Sequence, residues 1–347
     1  MKVLSLFDGM SCGQIALDRL GIKVEAYHAS EIDRYAIAVA KANYPDTTHL
    51  GDVRDVNVSE HFDLLMFGSP CQGFSFSGKH LNFDDPRSAL FFEAVRILGE
   101  ARQINPDVKF LMENVRMKKE SMEIITDALG VDPVAINSNL VSAQNRYRLY
   151  WTNLEVKGPP QDRGIQLKDI IEDSFITDRD KSHCLDANYF KGGNLKSYFE
   201  KHRRQLVFSK NGLCHVGDAD LKGNDSLRRV YHPDGKSPTL TAAGGGNTEP
   251  KILQYPRGVN KGGLKALNGK VPSLTSSSWE TNNHLTMDEG LTYRKLTPLE
   301  CERLQTVPEG YTNHVSNTQR YKMLGNGWTI DVITHLLKER INNADQV

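Results

Sequence analysis

Long hydrophobic runs, closely paired cysteines and an excess of charge of one sign are all missing from this sequence of 347 residues. No stretch approaches the roughly 18 apolar residues of a membrane span, and the N-terminus lacks the apolar core of a secretion signal. The cysteines lie far apart without a C-x-x-C pair, which excludes the usual spacing of a disulfide framework or a zinc site. We therefore expect a cytoplasmic protein with no membrane segment and no bound metal. The cysteines are Cys12, Cys71, Cys184, Cys214 and Cys301.

The zero net charge conceals a basic middle. Lys+Arg and Asp+Glu both number 43, yet residues 181–270 contain 16 Lys+Arg and 7 Asp+Glu, together with 13 of the 28 glycines. This composition favours short strands and loops over long helices. Two interpretations remain open for it: a solvated glycine-rich insertion with incidental charge, or a surface that binds phosphates.

The first 150 residues alternate short apolar runs with amphipathic stretches, a pattern typical of an α/β sheet. Polar and reactive residues follow the predicted strands, at the end where open α/β sheets bind ligands. A helix start is also predicted at Thr297, because Pro298 and Glu300 complete a capping box. The predicted strands are 2–7, 24–29, 62–67 and 108–112, and the predicted helices are 13–20, 34–43, 88–102 and 329–341.

Two acidic residues point to a nucleoside ligand. The turn after the first strand contains glycine but is not G-x-G-x-x-G, so it predicts no pyrophosphate site. Glu31 follows that turn by about twenty residues, where α/β sites place the acceptor for ribose hydroxyls. Asp52 is placed to accept from an adenine amino group if a third short strand precedes it. A loop carboxylate or a helix cap is an equal alternative for either acid alone, but together they indicate an adenosyl ligand without phosphates, such as S-adenosyl-L-methionine.

The strongest chemical signal is Pro70-Cys71, at the end of a predicted strand. An exposed, electropositive setting there would make the thiol a thiolate nucleophile, and a buried, inert cysteine is the alternative. Glu113 follows the next predicted strand, and Arg146 and Arg148 alternate onto one side of an extended segment. A thiolate, a carboxyl group and two cations suit attack on an electron-poor heterocycle.

Several short segments occur in a fixed order along the chain, and in that order they resemble the C5-cytosine DNA methyltransferases of bacterial and phage type. The resemblance covers both ends of the chain and leaves about 155–290 as the variable part. Ile32 stands where the family more often has an aromatic residue, and Gly327-Trp328 replaces a more usual Ser-Val. The segments are Phe7-Asp8-Gly9, Glu31, Asp52, Pro70-Cys71-Gln72, Glu113-Asn114-Val115, Gln144-x-Arg146-x-Arg148, the stretch from Arg294 to Gln305, and Gly325-Asn326-Gly327.

The resemblance implies a Rossmann-like, S-adenosylmethionine-dependent sheet with a smaller, strand- and loop-rich target-recognition domain. The catalytic domain is expected at 1–175 plus 318–347 and the recognition domain at 176–317, with a variable part at about 181–290. The implied reaction transfers a methyl group to C5 of a flipped cytosine in a specific duplex DNA sequence.

The family assigns roles to four residues of this reaction. Cys71 would add to C6 of the base, and Glu113, kept protonated by burial, would hydrogen-bond N3. Arg148 would contact O2, and Arg146 would hold the loop and backbone around the site. No base for removal of the C5 proton is evident.

Further residues are predicted to bind the cofactor or DNA. The segment 74–87 directly follows Cys71 and is polar and glycine-containing, as a loop that closes over DNA would be; an ordinary surface loop is the alternative. The predicted cofactor contacts are Phe7, Asp8, Gly9, Gly13, Glu31, Ile32, Asp52, Pro70 and Asn326. The predicted DNA contacts are Ser75, Ser77, Lys79, Gln144, Arg203, Arg204, Arg228, Arg229, Gly244 and Gly245.

The basic middle contains three similar segments that begin at Lys181, Lys236 and Lys270. The loops after them, at 188–194, 243–248 and 276–283, are expected to reach base edges, unless the similarity is due to chance. A monomer acting on double-stranded DNA is the leading hypothesis. An RNA methyltransferase of the same architecture and a non-catalytic DNA-binding regulator are the alternatives. The sequence identifies neither the target site nor a paired restriction nuclease.

Overall fold

The computed structural model describes residues 1–69, 86–172, 175–192, 195–208, 215–218, 229–231, 251–252 and 293–338. The chain divides into two compact units. The first contains residues 1–170, 184–190 and 297–347, and the second contains 171–183 and 191–296. Residues 184–190 and 297–317, which the sequence analysis placed in the recognition domain, therefore lie in the first unit.

A seven-stranded sheet lies at the centre of the first unit. Its strands are β1 (Lys2–Leu6), β2 (Ala26–Ser30), β3 (Thr48–Gly51), β4 (Leu64–Phe67), β5 (Lys109–Val115), β6 (Pro133–Asn137) and β7 (Tyr147–Thr152). They lie in the order β3-β2-β1-β4-β5-β7-β6. The neighbours among β1 to β5 pair in parallel, whereas β7 pairs antiparallel with both β5 and β6. The predicted α/β class is confirmed.

The helices predicted at 13–20, 34–43 and 88–102 begin and end close to the predicted residues. The helix predicted at 329–341 also begins close to its prediction, but its predicted end lies outside the described residues. Helix α2 matches its prediction of 34–43, and α6 begins with the predicted capping box between Thr297 and Glu300, with Pro298 in its first turn. The described helices are α1 (Cys12–Arg19), α2 (Arg34–Asn43), α3 (Pro86–Ile104), α4 (Lys119–Leu129), α5 (Leu195–Lys201), α6 (Pro298–Leu304), α7 (Asn317–Asn326) and α8 (Ile330–Leu337). Within the ranges given above, none of these helices is long and apolar enough to cross a membrane.

The core of the first unit explains why polar residues gather at one edge of the sheet. All four residues of β4, Leu64–Phe67, are buried, because parallel strands covered on both faces are apolar along their whole length. Phe110, Met112 and Trp151 extend the same core into β5 and β7. Polar side chains are therefore accommodated where the strands end, and the parallel strands end together.

Strand β5 is longer than predicted. The apolar run ends at Met112, but the strand continues to Val115 because β7 pairs with it antiparallel, with Val115 opposite Arg148. The prediction that Glu113 follows the strand was therefore wrong. Glu113 lies within it, opposite Tyr150, so sheet hydrogen bonds hold its backbone in place.

The second unit contains short strands around a small core. Strands β8 (Leu206–Phe208) and β12 (Tyr293–Lys295) pair antiparallel, and β9 (His215–Asp218), β10 (Arg229–Tyr231) and β11 (Lys251–Ile252) form a second small sheet. The hydrophobic core of the second unit contains Tyr198 and Phe208. The carboxylate of Asp178 accepts hydrogen bonds from Tyr198 Oη at 2.6 Å and from Gln205 Nε2 at 3.1 Å, which satisfies a charge that is almost completely buried.

Candidate active site

Three residues of the turn between β1 and α1 adopt the left-handed backbone conformation. Phe7, Gly9 and Ser11 have φ values of 55°, 60° and 62°, although two of them carry side chains that disfavour this conformation. Such strain costs about 1–3 kcal/mol per residue and persists where neighbours fix the backbone. Here the N–H of Gly9 donates to Glu31 Oε2 at 2.8 Å, and the N–H of Asp8 donates to Ser30 O at 3.1 Å. The end of β2 thus holds the turn.

The buried side chain of Asp8 stabilises this turn. Its side chain is buried and accepts hydrogen bonds from Ser11 Oγ at 2.5 Å and Tyr27 Oη at 2.8 Å. Burial raises the pKa of Asp8 to about 6, although the hydroxyl donors Ser11, Ser5 and Tyr27 oppose the rise. Asp8 lines the cavity described below, but these bonds direct its carboxylate to the protein interior.

Glu31 follows β2 and connects the turn to the start of α2. One carboxylate oxygen accepts from Gly9, and the other accepts from the N–H groups of Ile32 and Asp33, both at 2.8 Å. The side chain is therefore fixed, and one lone pair, on Oε2, is still available for a ligand. Ile32 beside it is 73% exposed, an unusual position for a large apolar residue.

Asp52 lies directly after β3, so the third strand on which its predicted role depends is present. Its carboxylate caps the short 3₁₀ helix Val53–Asp55 and pairs with Arg54, whose Nη2 lies 2.5 Å away. Hydrogen bonds from the side chain and backbone of Arg54 lower the pKa of Asp52 to about 2. Asp52 is therefore a carboxylate that already has a cationic partner.

The end of β4 leads toward the predicted nucleophile. Ser69 is buried, and its hydroxyl accepts a hydrogen bond of 3.3 Å from Asn114 Nδ2 at the end of β5. Pro70 and Cys71 follow and lie outside the described residues, as do the predicted DNA contacts Ser75, Ser77, Lys79, Arg228, Gly244 and Gly245.

Glu113 and Arg148 form an ion pair across β5 and β7. Arg148 Nε lies 2.8 Å from Glu113 Oε1, although the N–H does not point along the line that a hydrogen bond needs. Burial lowers the pKa of the guanidinium, but the Glu113 carboxylate, Cys184 and Tyr150 together outweigh that effect and raise the pKa above the ordinary value. Arg148 Nη1 donates to Tyr147 O at 2.9 Å, and Nη2 lies 3.9 Å from the Cys184 thiol.

Arg146 binds backbone. Its guanidinium is buried and donates to the carbonyl oxygens of Leu185, Gly325 and Gly327 at 2.8–3.2 Å. Gly325 itself cannot carry a side chain, because a Cβ there would lie 2.3 Å from the backbone of Asp186. Arg146 therefore joins three segments that are distant in the sequence.

Gln144 and Gln305 continue this network. Gln144 is fully buried; its Nε2 donates to Leu304 O and Gln305 Oε1, both at 2.9 Å, and its Oε1 accepts from the N–H of Leu185. Gln305 Nε2 donates to Leu324 O at 2.7 Å. In this structure Gln144, predicted to contact DNA, supports the loops around the site. Gln305 ends one of the segments that carry the family resemblance, but no role was predicted for it. Its side-chain amide completes this hydrogen-bond network.

These elements surround one cavity of about 560 Å³, a volume typical of sites for small ligands. Seven of the nine residues predicted to bind the cofactor line the same cavity as the ion pair of Glu113 and Arg148. Of the other two, Gly13 is buried against Met66 and Tyr27 and does not line the cavity, and Pro70 lies outside the described residues. No group of His, Cys, Asp and Glu in the described parts of the chain could hold a metal ion. The lining includes Phe7, Asp8, Gly9, Glu31, Ile32, Asp52, Gly68, Ser69, Glu113, Arg146, Arg148, Asn326 and Trp328.

The family model of the C-5 cytosine-specific DNA methylases matches residues 1–342. The chain belongs to this family. It is a DNA cytosine methyltransferase, as the order of segments in the sequence predicted.

Two curated methyltransferases of this type match over nearly their full length. The orphan methyltransferase M.Rho11sI of Bacillus phage rho11s is 27% identical, over 99% of this chain and 98% of its own. The type II methyltransferase M.HhaI of Haemophilus parahaemolyticus is 26% identical, over 97% of this chain and 93% of its own. A crystal structure of a Spodoptera frugiperda DNMT2 mutant shares the fold, with a TM-score of 0.53 and 20% identity over 98% of this chain and 99% of that one.

The methyltransferase also presents cations that sequence reasoning did not single out. Arg116 and Lys118 are exposed and follow β5 directly, and the Arg116 guanidinium lies 5.9 Å from the centre of the exposed Tyr147 ring. The sequence signal that could have identified these two residues is their position directly after the strand that contains Glu113. In the second unit, Arg203 is exposed, and Arg204 has a φ of 56° and donates to Gly192 O at 2.9 Å.

Proposed function

We propose that the methyltransferase uses S-adenosyl-L-methionine to methylate C5 of a cytosine flipped out of duplex DNA, through a covalent bond between Cys71 and C6. The observation that carries the proposal is the shared cavity. It places the Glu31 side of the sheet, suited to an adenosyl group, beside the Glu113–Arg148 pair, suited to a pyrimidine.

The cavity fits an adenosyl ligand without phosphates. Glu31 is fixed by three N–H groups and retains one lone pair, on Oε2, for a ribose hydroxyl, and Asp52 offers a carboxylate one strand further along the sheet. Within the described residues, the turn between β1 and α1 contributes no cluster of basic side chains to the cavity, so it offers no site for phosphates. When bound, the cofactor supplies an electrophilic methyl group. Asn326 and Phe7 also line the cavity and are proposed to contact it.

The proposed role of Cys71 follows from the chemistry of cytosine, whose C5 is a weak nucleophile. Addition of the thiolate to C6 forms an Sγ–C6 bond and moves the π electrons toward C5, which then accepts the methyl group. Loss of the C5 proton and breakage of the Sγ–C6 bond restore the aromatic ring. Glu113 would hold a proton at N3 during addition, and Arg148 would bind O2.

Methylation inside a duplex requires extrusion of the base, at a cost of a few kcal/mol. Contacts to the DNA backbone would offset that cost. We assign this role to the exposed Arg116 and Lys118 beside the cavity and to Arg203 in the second unit, because cations position a protein on phosphates without reading sequence. Sequence recognition is proposed for the basic middle of the chain, most of which lies in the second unit.

Covalent trapping tests the proposal. A duplex with 5-fluorocytosine at the target cytosine, located first by bisulfite sequencing of DNA from expressing cells, should bind the wild-type protein irreversibly when the cofactor is present, since fluorine cannot leave as a proton does. Cys71→Ser should form no adduct, with Cys301→Ser, at a buried cysteine of α6, as the matched control.

An adduct that survives in Cys71→Ser would refute the assignment. Equal methylation of the same sequence as RNA would overturn DNA as the substrate.

A further inference from the structure

Trp328 stands where the sequence departs from the family pattern, and its indole packs against Gly68. A Cβ placed on Gly68 would lie 3.0 Å from the indole Nε1, closer than ordinary van der Waals contact, and 3.4 Å from Cζ2, at the short end of such contact. Gly68 is the first residue after β4, so the indole rests on the backbone that leads to Cys71. Both residues line the cavity.

The backbone of Trp328 is held on both sides. Its N–H hydrogen-bonds the buried thiol of Cys12, whose pKa burial raises to about 12, so this thiol is a neutral acceptor. The preceding carbonyl, of Gly327, accepts from Arg146 Nη2 at 2.8 Å and from Gln305 Nε2 at 3.2 Å. The following Thr329 donates its hydroxyl to Gln305 Oε1 at 2.8 Å. The indole therefore projects from an anchored segment.

The chain after β4 is fixed at consecutive residues. Gly68 meets the indole, and the Ser69 hydroxyl is bonded to Asn114. Two residues of extended chain span at most about 7 Å, so the placement of Ser69 limits where Cys71 can lie.

We propose that Trp328 is a positioning residue, whose indole, seated on Gly68, directs the backbone that carries Cys71 toward C6 of the target base. This inference rests on the proposed role of Cys71 as nucleophile. It explains why a glycine and a tryptophan occur together: the large side chain at 328 leaves little room for one at 68. A misplacement of about 1 Å in a catalytic site can lower a rate about 100-fold, so the contact bears directly on catalysis.

A double-mutant cycle tests the contact. The measured quantity is the single-turnover rate of adduct formation with the 5-fluorocytosine duplex, for the wild type, Gly68→Ala, Trp328→Val and the double variant. Gly68→Ala should lower the rate roughly 10- to 100-fold, because the new methyl group pushes the segment away from the indole. In the Trp328→Val background the same change should alter the rate less than about threefold, since the valine leaves room for it.

Each alternative result has a defined meaning. Equal effects of Gly68→Ala in both backgrounds, or a wild-type rate for Gly68→Ala alone, would overturn the inference. If the wild-type protein forms no adduct, the proposed function fails before the inference is tested.

Thermal unfolding of each variant separates positioning from loss of structure. Trp151→Phe is the matched control, because Trp151 is buried in the core and its indole donates to Thr126 Oγ1 away from the cavity. It should lower the unfolding temperature without slowing adduct formation. Trp328→Phe provides a milder variant if Gly68→Ala does not fold. An adduct rate for Trp328→Phe equal to the wild-type rate, with Gly68→Ala unfolded, would also overturn the inference.

Discussion

Arg148 Nε lies 2.8 Å from Glu113 Oε1, and both side chains are largely shielded from solvent. The carboxylate that is proposed to face the pyrimidine is thus paired with a guanidinium of the same protein. A target base that bonds both groups must come between them or displace one of them. The loss of the Glu113–Arg148 ion pair then offsets part of the free energy gained from binding the base. This exchange favours a base that can bond both groups at once.

The first prediction concerns Glu113. Glu113→Gln preserves the shape of the side chain but can neither carry a proton to N3 nor offset the charge of Arg148. Methyl transfer from labelled cofactor should fall about 100-fold or more. Glu120→Gln, at the exposed start of α4, is the control and should stay within about twofold. Wild-type turnover in Glu113→Gln would remove Glu113 from the mechanism.

The second prediction compares the two acids of the cofactor side. Glu31→Ala removes the acceptor of three N–H groups and should weaken S-adenosyl-L-methionine binding about 5- to 150-fold. Asp52→Ala should have a smaller effect, because Asp52 already bonds Arg54. Arg54→Ala frees that carboxylate and should tighten binding if Asp52 accepts from adenine.

Calorimetry on the three variants measures these effects, with Asp55→Ala as the neighbouring control. Unchanged affinity in Glu31→Ala would place the adenosyl site elsewhere. A weaker affinity in Arg54→Ala would assign adenine contact to Arg54 instead of Asp52.

The third prediction is a pH dependence of stability that arises from Asp8. Its folded-state pKa is raised from 3.8 to about 6 by burial, so the folded protein favours the protonated carboxyl. The contribution of Asp8 to the free energy of unfolding is therefore fully present below pH 4 and is lost as the pH rises through 6, by about 3 kcal/mol in total. Ser5, Ser11, Tyr27 and Glu31 are the groups that face it.

Urea unfolding of the wild type and Asp8→Asn between pH 4 and pH 7 measures this contribution. The wild type should lose stability relative to Asp8→Asn over that range. Tyr27→Phe removes a hydrogen bond that lowers the pKa of Asp8, so its transition should move to higher pH. A constant difference between wild type and Asp8→Asn at every pH would contradict the prediction.

The fourth prediction concerns the cations beside the cavity. If Arg116 and Lys118 contact phosphates, replacing either with alanine should weaken binding to all duplexes alike and reduce the salt dependence of log Kd by about one unit per residue. Lys23→Ala is the control, since Lys23 is exposed before β2, at the amino end of the sheet. Fluorescence anisotropy at several salt concentrations gives the slopes, and equal slopes for all three variants would exclude these contacts.

The sequence predicts the sheet well because its signal is local. The apolar residues 64–67 and the amphipathic residues 34–43 each specify one element, and Thr297 with Glu300 specifies a helix start. The end of β5 was misplaced because pairing with β7 extends that strand beyond its apolar run.

The candidate site is less accessible to such reasoning. The position of Glu31 follows from its place after a strand, but the pairing of Asp52 with Arg54 depends on how a two-residue turn closes. The buried position of Gln144 depends on its hydrogen bond to Gln305, and the packing of the Trp328 indole depends on Gly68. The last two pairs join residues far apart in the chain, which no local pattern connects.

The bond between Cys12 and Trp328 also has a consequence for biosynthesis. Cys12 belongs to the first turn to be translated, and it acquires its partner only when residue 328 has left the ribosome. At about 5–20 residues per second, that wait is roughly 15–60 s. During this time α1 lacks the cover of α8, whose buried face includes Val332, Ile333 and Leu336. A nascent chain therefore leaves this face of α1 without its apolar partner until the helix Ile330–Leu337 has been synthesised.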